Sequence, residues 1–477
     1  MSYLLAKYCA ARRHPLSKFP GPLIAKFSNI WFSWTFLRGR QPYDILAAHE
    51  KYGPVVRIAP NELSFNTASS YGDIYGARIG HKTFVRSSIY DSREYTLDEP
   101  SINLDTNPDT EGKMRKCLLP AFSGRSMRNL ESVILERVNK VMDQIGCQDD
   151  GPCGTDLSSW FRFVTMDIIG QLTLGHSFGN VERRGLDPWG ASVENSVAFV
   201  PIKDAMDRFP WLGKIIRWTF APMLQRFMEI RKSHDQYMVD MIEQRLKRPR
   251  NEDLVSRVAD WQLQENKEVS ATSIAAILAE ILIAGSHTSS ATLATISMYL
   301  LTNHDARKKL QAELNTAFSN PDEITGSSTA SLKYLEAVVN EGLRIYPPIP
   351  VSLPRIVPKG GDTVDGHFLP EGTIVSTSHM GSCLSSENFS DPWIFKPERW
   401  LDSSCTDKFN ACKVFSIGPQ SCIGQSLALM EIRTIIAHLF FRYELDMVDK
   451  DLDWHKKSRI APTWVVPELR VRVRPKN

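Results

Sequence analysis

The sequence is short of the features that define several large classes of protein. Its 8 cysteines in 477 residues are irregularly spaced, fit neither a disulfide scaffold nor a zinc site, and favour a reducing compartment. The net charge is only +3, from 57 basic and 54 acidic residues, so nucleic-acid binding is not expected. Internal repeats, long polar linkers and the Gly-x-Gly-x-x-Gly dinucleotide motif are all missing. We therefore predict one large domain without a dinucleotide site of its own.

A long apolar run is also missing from the N-terminus. Residues 1–40 contain seven Lys or Arg and no acid, and their longest apolar stretch, Phe27 to Leu37, has 11 residues. That length does not span about 30 Å of hydrocarbon, and the order of a secretory signal is absent. Basic and aromatic residues suit an anionic membrane surface, although an amphipathic segment packed on its own domain explains them equally well. We predict a basic, proline-rich lead-in at 1–22 without a full transmembrane anchor, rigid and extended from His14 to Pro22, and one domain at 23–477.

One internal stretch is long enough to cross a bilayer. Between Glu280 and Asp305, 24 consecutive residues carry no acidic or basic charge, yet eight of them are Ser or Thr. His287 also lies near the start of this stretch. A buried central helix with a polar notch explains the pattern better than a membrane span.

The rest of the chain is patterned as a mainly α protein with small β-sheets. Apolar residues at helical spacing predict helices at Gln41–Lys51, through most of 111–247, and at Ala271–Asn303, Leu332–Tyr346 and Gly424–Tyr443. Short strands are predicted at Val55–Phe65, within Val351–Ser378 and at Leu469–Arg474.

The most informative segment is Phe415-Ser-Ile-Gly418-Pro-Gln-Ser-Cys422-Ile-Gly424. Phe, Gly, Cys and Gly at these four spacings arise by chance about once in a thousand chains of this composition. Cys422 precedes a predicted helix, whose free N–H groups and dipole favour a thiolate. The two glycines let the backbone approach a flat, bulky group, and Phe415 shields the sulfur. The ordinary alternative is a small buried cysteine at a helix start.

With these residues the sequence resembles the cytochrome P-450 family of haem-thiolate monooxygenases along nearly its whole length. Glu341-Gly-Leu-Arg344 resembles the ExxR motif of the family, although alone it is also a common surface pair. Phe395-Lys-Pro-Glu-Arg399-Trp resembles the PERF segment. The resemblance implies that Glu341, Arg344 and Arg399 form a buried structural network, and that the fold is a single large cytochrome P-450 fold.

The same resemblance assigns roles around a haem b cofactor. Cys422 is the implied axial ligand of the iron. Ala284-Gly-Ser-His287-Thr288-Ser289 resembles the oxygen-activating notch, with Thr288 and His287 as catalytic residues, although a Ser/Thr-rich patch of an ordinary helix has the same composition. Arg115 and Arg355 match ligands of the haem propionates. The framing residues Phe415, Gly418 and Gly424 complete the implied cofactor site.

The implied activity is insertion of one oxygen atom from O₂ into an apolar small molecule, by hydroxylation or epoxidation. The resemblance also implies that electrons come from an NADPH-cytochrome reductase and that the enzyme lies on the cytosolic face of the endoplasmic reticulum membrane. Subfamily features, including Asp73 to Phe84, resemble fungal secondary-metabolite enzymes such as trichothecene-pathway hydroxylases. The implied pocket is lined from 81–105, 200–215, 281–288, 349–353 and 460–462. Two alternatives remain: a haem-thiolate isomerase or dehydratase, and a catalytically silent haem- or substrate-binding protein.

Three positions depart from the family pattern. Gln420 replaces the usual Arg, so one propionate partner loses its charge. Glu111 replaces Trp or His, and its carboxylate is expected to repel a nearby propionate. His287 replaces the usual acid and is expected to relay protons near neutral pH, or to make a backbone hydrogen bond while water serves Thr288.

Overall fold

The computed structural model describes residues 13–90, 97, 99–147, 151–191, 199–219, 221–461 and 463–476. In the first half of the chain the helices are α1 Ile30–Leu37, α2 Gln41–Tyr52, α3 Ala68–Tyr75, α4 Pro108–Leu118, α5 Gly124–Cys147, α6 Leu157–Leu174, α7 Asn180–Arg183, α8 Val200–Arg208, α9 Pro210–Thr219 and α10 Ala221–Leu246. In the second half they are α11 Leu254–Gln264, α12 Ala271–Thr302, α13 His304–Ala317, α14 Gly326–Thr329, α15 Lys333–Ile345, α16 His379–Cys383, α17 Gln425–Arg442 and α18 Trp454–Lys457.

The strands are short and form small sheets at the edge of the helices. They are β1 Val55–Ala59, β2 Glu62–Phe65, β3 Val85–Arg86, β4 Thr155–Asp156, β5 Arg355–Ile356, β6 Asp362–Val364, β7 His367–Leu369, β8 Ile374–Thr377, β9 Tyr443–Met447, β10 Arg459–Ile460, β11 Trp464–Val465 and β12 Arg470–Pro475. The largest sheet has the order β1-β2-β8-β5-β3, in which only β2 and β8 are parallel. The predicted class, mainly α with small sheets, is confirmed.

Local chemistry explains the ends of the central helix α12. At its start the Ser270 hydroxyl accepts a hydrogen bond from the Ser273 N–H over 3.2 Å, which caps a free donor. At its end Asn303 has extended backbone, and its side chain caps the next helix by accepting from Ala306 N–H. The predicted range, Ala271 to Asn303, differs from the observed one by a single residue.

Helix α12 runs through the core and packs against α6, α10, α17 and α15. By length and composition alone it is the one described helix that meets the criteria for a membrane span. Its burial among these helices agrees with the predicted central helix.

The proline-rich lead-in packs on the large sheet. We predicted an extended segment, but Pro15–Lys18 forms a 3₁₀ turn capped by the His14 side chain. Leu16 and Phe19 are buried, and the Arg57 N–H of β1 donates to the Pro20 carbonyl over 2.8 Å. Residues 1–12 lie outside the described residues.

Candidate active site

The loop before α17 brings Cys422 to the N-terminal end of that helix. The Cys422 N–H donates to the Phe415 carbonyl over 2.8 Å, which closes the loop. Gly418 has a φ of +76°, and a side chain there would collide with the Tyr75 carbonyl oxygen, so this turn requires glycine. A Cβ at Gly424 would meet no atom within 4 Å, so the backbone beside the sulfur borders open space. The loop therefore leaves room for a ligand next to Cys422.

The Cys422 thiol is accessible to a molecule the size of water, although protein atoms surround it closely. An accessible side chain in such surroundings borders an internal cavity. Burial raises the pKa of this thiol, and the N–H groups of Gly424 and Gln425 and the charge of Arg115 oppose that effect. A metal ion at the sulfur would supply the remaining stabilisation of the thiolate, because a coordinating metal deprotonates a thiol.

The middle of α12 has one exposed face, although the helix is packed on several sides. Ala284 is exposed and Thr288, one turn later, is partly exposed, whereas Ser286 is buried. On the packed side a Cβ added to Gly285 would lie 2.8 Å from the side chain of Ile169 in α6. The Thr288 hydroxyl donates to the Ala284 carbonyl over 2.7 Å. The exposed face therefore borders an internal cavity and presents a hydroxyl there.

A buried polar cluster lies between the cysteine loop and α4. Glu111 is 2% exposed and accepts hydrogen bonds from the guanidinium of Arg86 over 2.8 Å and from Gln420 Nε2 over 2.5 Å. The ion pair with Arg86 offsets the charge of the Glu111 carboxylate, and the repulsion of a nearby propionate stays a prediction. Gln420, which lacks the charge of the usual arginine, donates a hydrogen bond from its side-chain amide to Glu111. Arg86 was not identified from the sequence, since nothing in Val85-Arg86 marks it as a site residue.

Strand pairing places two buried arginines opposite each other. Arg86 of β3 pairs with Arg355 of β5. Arg355 is 3% exposed, donates only to the backbone carbonyls of Leu353 and Pro354 among the described residues, and lies over the ring of Tyr75 at 5.3 Å. Like charges in such a pair are destabilising unless an anion compensates them.

Arg115 adds a third cation to this region. Its guanidinium donates to the Ser421 carbonyl over 2.5 Å, one residue before the cysteine, and its side chain is partly buried. Among the described residues, Glu111 is the one carboxylate that forms an ion pair with Arg86, Arg115 or Arg355. The described side chains around the loop therefore carry two more positive than negative charges. This surplus suits a ligand with two carboxylates.

Arg86 also connects the cysteine loop with the exposed face of α12. Besides its bond to Glu111, it is close enough to the Glu280 carboxyl of α12 to lower the pKa of that group, which burial raises overall. The loop and the helix face therefore border the same region of the interior. Glu280 was outside the predicted pocket residues.

The structure brings together Glu341, Arg344 and Arg399 in a fully buried network. Arg344 of α15 donates to both carboxylate oxygens of Glu341 over 2.8 Å, and Arg399 Nε donates to the same carboxylate over 3.1 Å. Two further members were missed by the sequence argument. The Trp400 indole donates to Glu341 over 2.9 Å, and Asp407 pairs with Arg399. Two carboxylates thus balance two guanidinium groups.

His287 lies beside Thr288 on α12 but makes no hydrogen bond to it among the described contacts. Its Nε2 is buried and has no partner within the described part of the chain. Burial, with a contribution from the charge of Arg162, lowers the pKa of His287 to about 4, so the imidazole is neutral at pH 7. The expected charge change near neutral pH is therefore not supported by its environment, and its part in proton relay stays a prediction.

Comparison with known proteins gives a consistent assignment. The sequence model of the family described as Cytochrome P450 matches residues 24–472. The chain is 38% identical over 456 residues to the cytochrome P450 monooxygenase ORF11 of Penicillium roqueforti (strain FM164), covering 95% of this chain and 94% of that protein. It is 35% identical over 470 residues to the cytochrome P450 monooxygenase BipB of Cochliobolus sativus, covering 97% and 92%.

A third relative, the cytochrome P450 monooxygenase BOA3 of Botryotinia fuckeliana (strain B05.10), is 34% identical over 469 residues, covering 96% of this chain and 91% of that protein. These matches run through the cysteine loop, the notch of α12 and the Glu341 network. On this evidence the chain belongs to the cytochrome P450 family of monooxygenases.

Proposed function

We propose that this enzyme hydroxylates or epoxidises an apolar small molecule in fungal secondary metabolism, with Cys422 as the axial ligand of haem b. The family is a haem-thiolate family, and the relatives are fungal monooxygenases. The observation that carries the residue assignment is the Cys422 loop, where an accessible sulfur, a required Gly418 and open space at Gly424 meet at a helix start.

The residues of the site fit a haem in three respects. The sulfur of Cys422 borders an internal cavity, which a flat ligand needs. Arg115 and Arg355 have no carboxylate in ion-pair contact among the described residues, and a haem carries two propionates. The exposed Ala284 leaves room on the α12 side. Phe415 and Gly418 would shape the loop around the sulfur.

Haem held by Cys422, Arg115 and Arg355 would supply the redox chemistry that activates O₂. The protein has to deliver protons and keep bulk water away. Because the Thr288 hydroxyl donates to the Ala284 carbonyl, its oxygen is free to accept a hydrogen bond from a cavity water. The neutral His287 imidazole can pass a proton by accepting on one nitrogen while releasing from the other.

The ligand assignment is tested by the carbon monoxide difference spectrum of the reduced protein. Cys422→Ser should lose the red-shifted Soret band that thiolate ligation gives. Cys412→Ser, which changes a partly buried cysteine of the same region, is the matched control and should keep the band. An intact band in the Cys422 variant would refute the assignment. A product that forms without NADPH and O₂ would instead favour the isomerase or dehydratase alternative.

The partner that supplies electrons is proposed to be an acidic NADPH-cytochrome reductase. Lys113 and Lys116 are exposed on α4, the helix whose Arg115 bonds to the cysteine loop. A nearby groove contains Arg128 and Arg433 together with Ser426 of α17. Cations on the helix that bonds to the cysteine loop would guide an acidic protein to this face. Reduction by the reductase should slow with added salt, and more so in wild type than in Lys113→Gln/Lys116→Gln.

The enzyme is also proposed to rest on the endoplasmic reticulum membrane, on its cytosolic face. Trp34 of α1 is 61% exposed, and Trp211 and Trp218 of α9 are 66% and 83% exposed. The two helices are held near each other by Arg208, which lies 3.6 Å from the Phe32 ring centre just before α9 begins. Flotation with anionic liposomes should recover the protein at low salt, and Trp211→Ser/Trp218→Ser should reduce recovery.

A further inference from the structure

Glu280 is the acidic residue on the exposed face of α12. It lies one turn before the exposed Ala284 and two turns before Thr288, whereas Ile281 and Leu282 beside it are buried. At about 1.5 Å per residue, the eight residues from Glu280 to Thr288 cover about 12 Å along the helix axis. At about 100° per residue, the three positions fall within about 80° of the circumference. Glu280 therefore borders the same cavity as the hydroxyl of the notch.

Groups from three other parts of the chain surround this carboxyl. Asn103 donates a side-chain hydrogen bond to it, and the positive charges of Arg231 and Arg86 lie close to it. Arg231 of α10 is itself paired with Asp235 over 3.2 Å. Asn103 is held in place because Arg86 donates to the carbonyls of neighbouring residues in its segment.

These contacts leave acceptor capacity on Glu280. A carboxylate offers about four acceptor positions on its two oxygens, and the described residues give it one hydrogen bond. Neither Arg231 nor Arg86 forms an ion pair with it at contact distance, and both are engaged with Asp235 and Glu111. Burial raises the pKa of the Glu280 carboxyl although the two cations oppose that effect, so the carboxyl does not need a further cation and a neutral polar group can complete its hydrogen bonding. A buried acceptor without enough partners is costly, and a bound donor removes that cost.

Resting on the function proposed above, we infer that Glu280 is the polar anchor of the substrate pocket. The substrate is then an apolar molecule that carries a neutral O–H or N–H donor about 12 Å or less from the carbon that is oxidised. A fully hydrocarbon substrate would leave the Glu280 oxygens unpaired, and sites built to bind a hydroxyl discriminate strongly against analogues that lack it. The substrate is then an already functionalised compound, formed by an earlier reaction that installed the hydrogen-bond donor.

The test uses three probes of one chain length: dodecan-1-ol, 1-methoxydodecane and dodecane. Each is titrated into the purified haem-containing protein, and binding is followed by the shift of the Soret band. Wild type should bind the alcohol about tenfold more tightly than the ether, since the ether cannot donate a hydrogen bond. Glu280→Leu should bind both equally, whereas Glu280→Gln, which keeps an acceptor oxygen, should retain most of the preference.

Glu268→Leu is the matched control, since this exposed glutamate lies just before the start of the same helix, about three turns from Glu280. It should bind all three probes as wild type does. Equal binding of alcohol and ether by wild type, or an unchanged preference in Glu280→Leu, would overturn the inference. If the protein still showed the thiolate-type spectrum, the proposed function would not be affected by that result. No shift with any probe in a haem-containing protein would also overturn it, because the cavity would then reject apolar chains. Loss of the thiolate-type spectrum in wild type would instead refute the proposed function.

Discussion

Two buried clusters of charged side chains, one around Glu341 and one around Glu111, balance their charges differently. Around Glu341, two carboxylates meet two guanidinium groups, and the indole of Trp400 and the backbone N–H of Lys396 also donate to Glu341. Around Glu111, a single carboxylate meets Arg86 while Arg115 and Arg355 have no carboxylate in contact among the described residues. The first cluster is complete without a ligand.

The difference separates a structural role from a binding role. A closed network stabilises only the arrangement of its own elements, here α15 and the segment around 395–407. An open one, with like charges facing each other on β3 and β5, becomes favourable when an anion arrives. Variants in the two clusters should therefore change different measurements: unfolding in the first and loss of haem in the second.

The largest effect is expected from Glu341→Gln. It leaves Arg344 and Arg399 with Asp407 alone, so a buried positive charge is uncompensated and the free energy of unfolding should fall by about 3–5 kcal/mol. Urea unfolding followed by circular dichroism measures this. Glu336→Gln, an exposed change on the same helix, should stay within about 0.5 kcal/mol of wild type. A loss below 1 kcal/mol, on the order of an ordinary surface change, would contradict the structural role of the network.

The next effect is expected from Arg355→Met. Removing one of two facing cations should leave the unfolding of the haem-free protein unchanged or slightly improved, while haem loss becomes about ten- to a hundredfold faster. Transfer of haem to an excess of an acceptor protein gives the rate by absorbance. The exposed Arg472→Met serves as control. If haem leaves at the wild-type rate, the surplus charge does not serve the cofactor.

His287 belongs to neither cluster and provides a third kind of buried group, one that is neutral. Its pKa is about 4 when folded and about 6.5 when unfolded, so the unfolded state binds more protons between these values. Stability is therefore lost as the pH falls through this window. His287→Asn should reduce that loss by about 2 kcal/mol at pH 5 and have little pH-dependent effect above pH 7.

Urea unfolding of wild type and His287→Asn between pH 4 and pH 8 gives the comparison. Parallel curves would show that His287 is already charged in the fold. The amount of product formed per NADPH consumed tests the proposed role of His287 in proton relay. In His287→Ala this ratio should fall several-fold while peroxide is released. If His287 affects only stability, the ratio should not change.

The smallest effect is expected from Gln420→Arg, which sharpens the open cluster. The Gln420 amide already donates to the Glu111 carboxylate, so an arginine there replaces a neutral donor with a charged one and adds positive charge beside the cavity. Haem loss should slow by about two- to tenfold. The exposed Gln264→Arg should not change it. Faster haem loss would mean that the amide has a contact that arginine cannot make.

Most of the fold was predictable because its signals are local. Helix α12 is bounded by the Ser270 cap and by Asn303, and helix α15 ends just before Pro347 and Pro348, which cannot continue it. The spacing of Phe415, Gly418, Cys422 and Gly424 predicted the cysteine loop, since each residue type acts through its own backbone or side chain. The lead-in was the local exception, where a 3₁₀ turn replaced the predicted extended segment.

What the sequence by itself determined is the set of elements and the family motifs, because capping, helical spacing and a required glycine depend on residues a few positions apart. Only the tertiary structure decided which charges meet. Arg86 of β3 donates to Glu111, and it faces Arg355 because β3 pairs with β5. Arg86 and Arg355 are 269 residues apart in the chain. Glu280 lies close to Asn103, Arg231 and Arg86, which come from three separate parts of the chain. Electrostatic interactions act through space between distant segments, so no local pattern in the sequence records them.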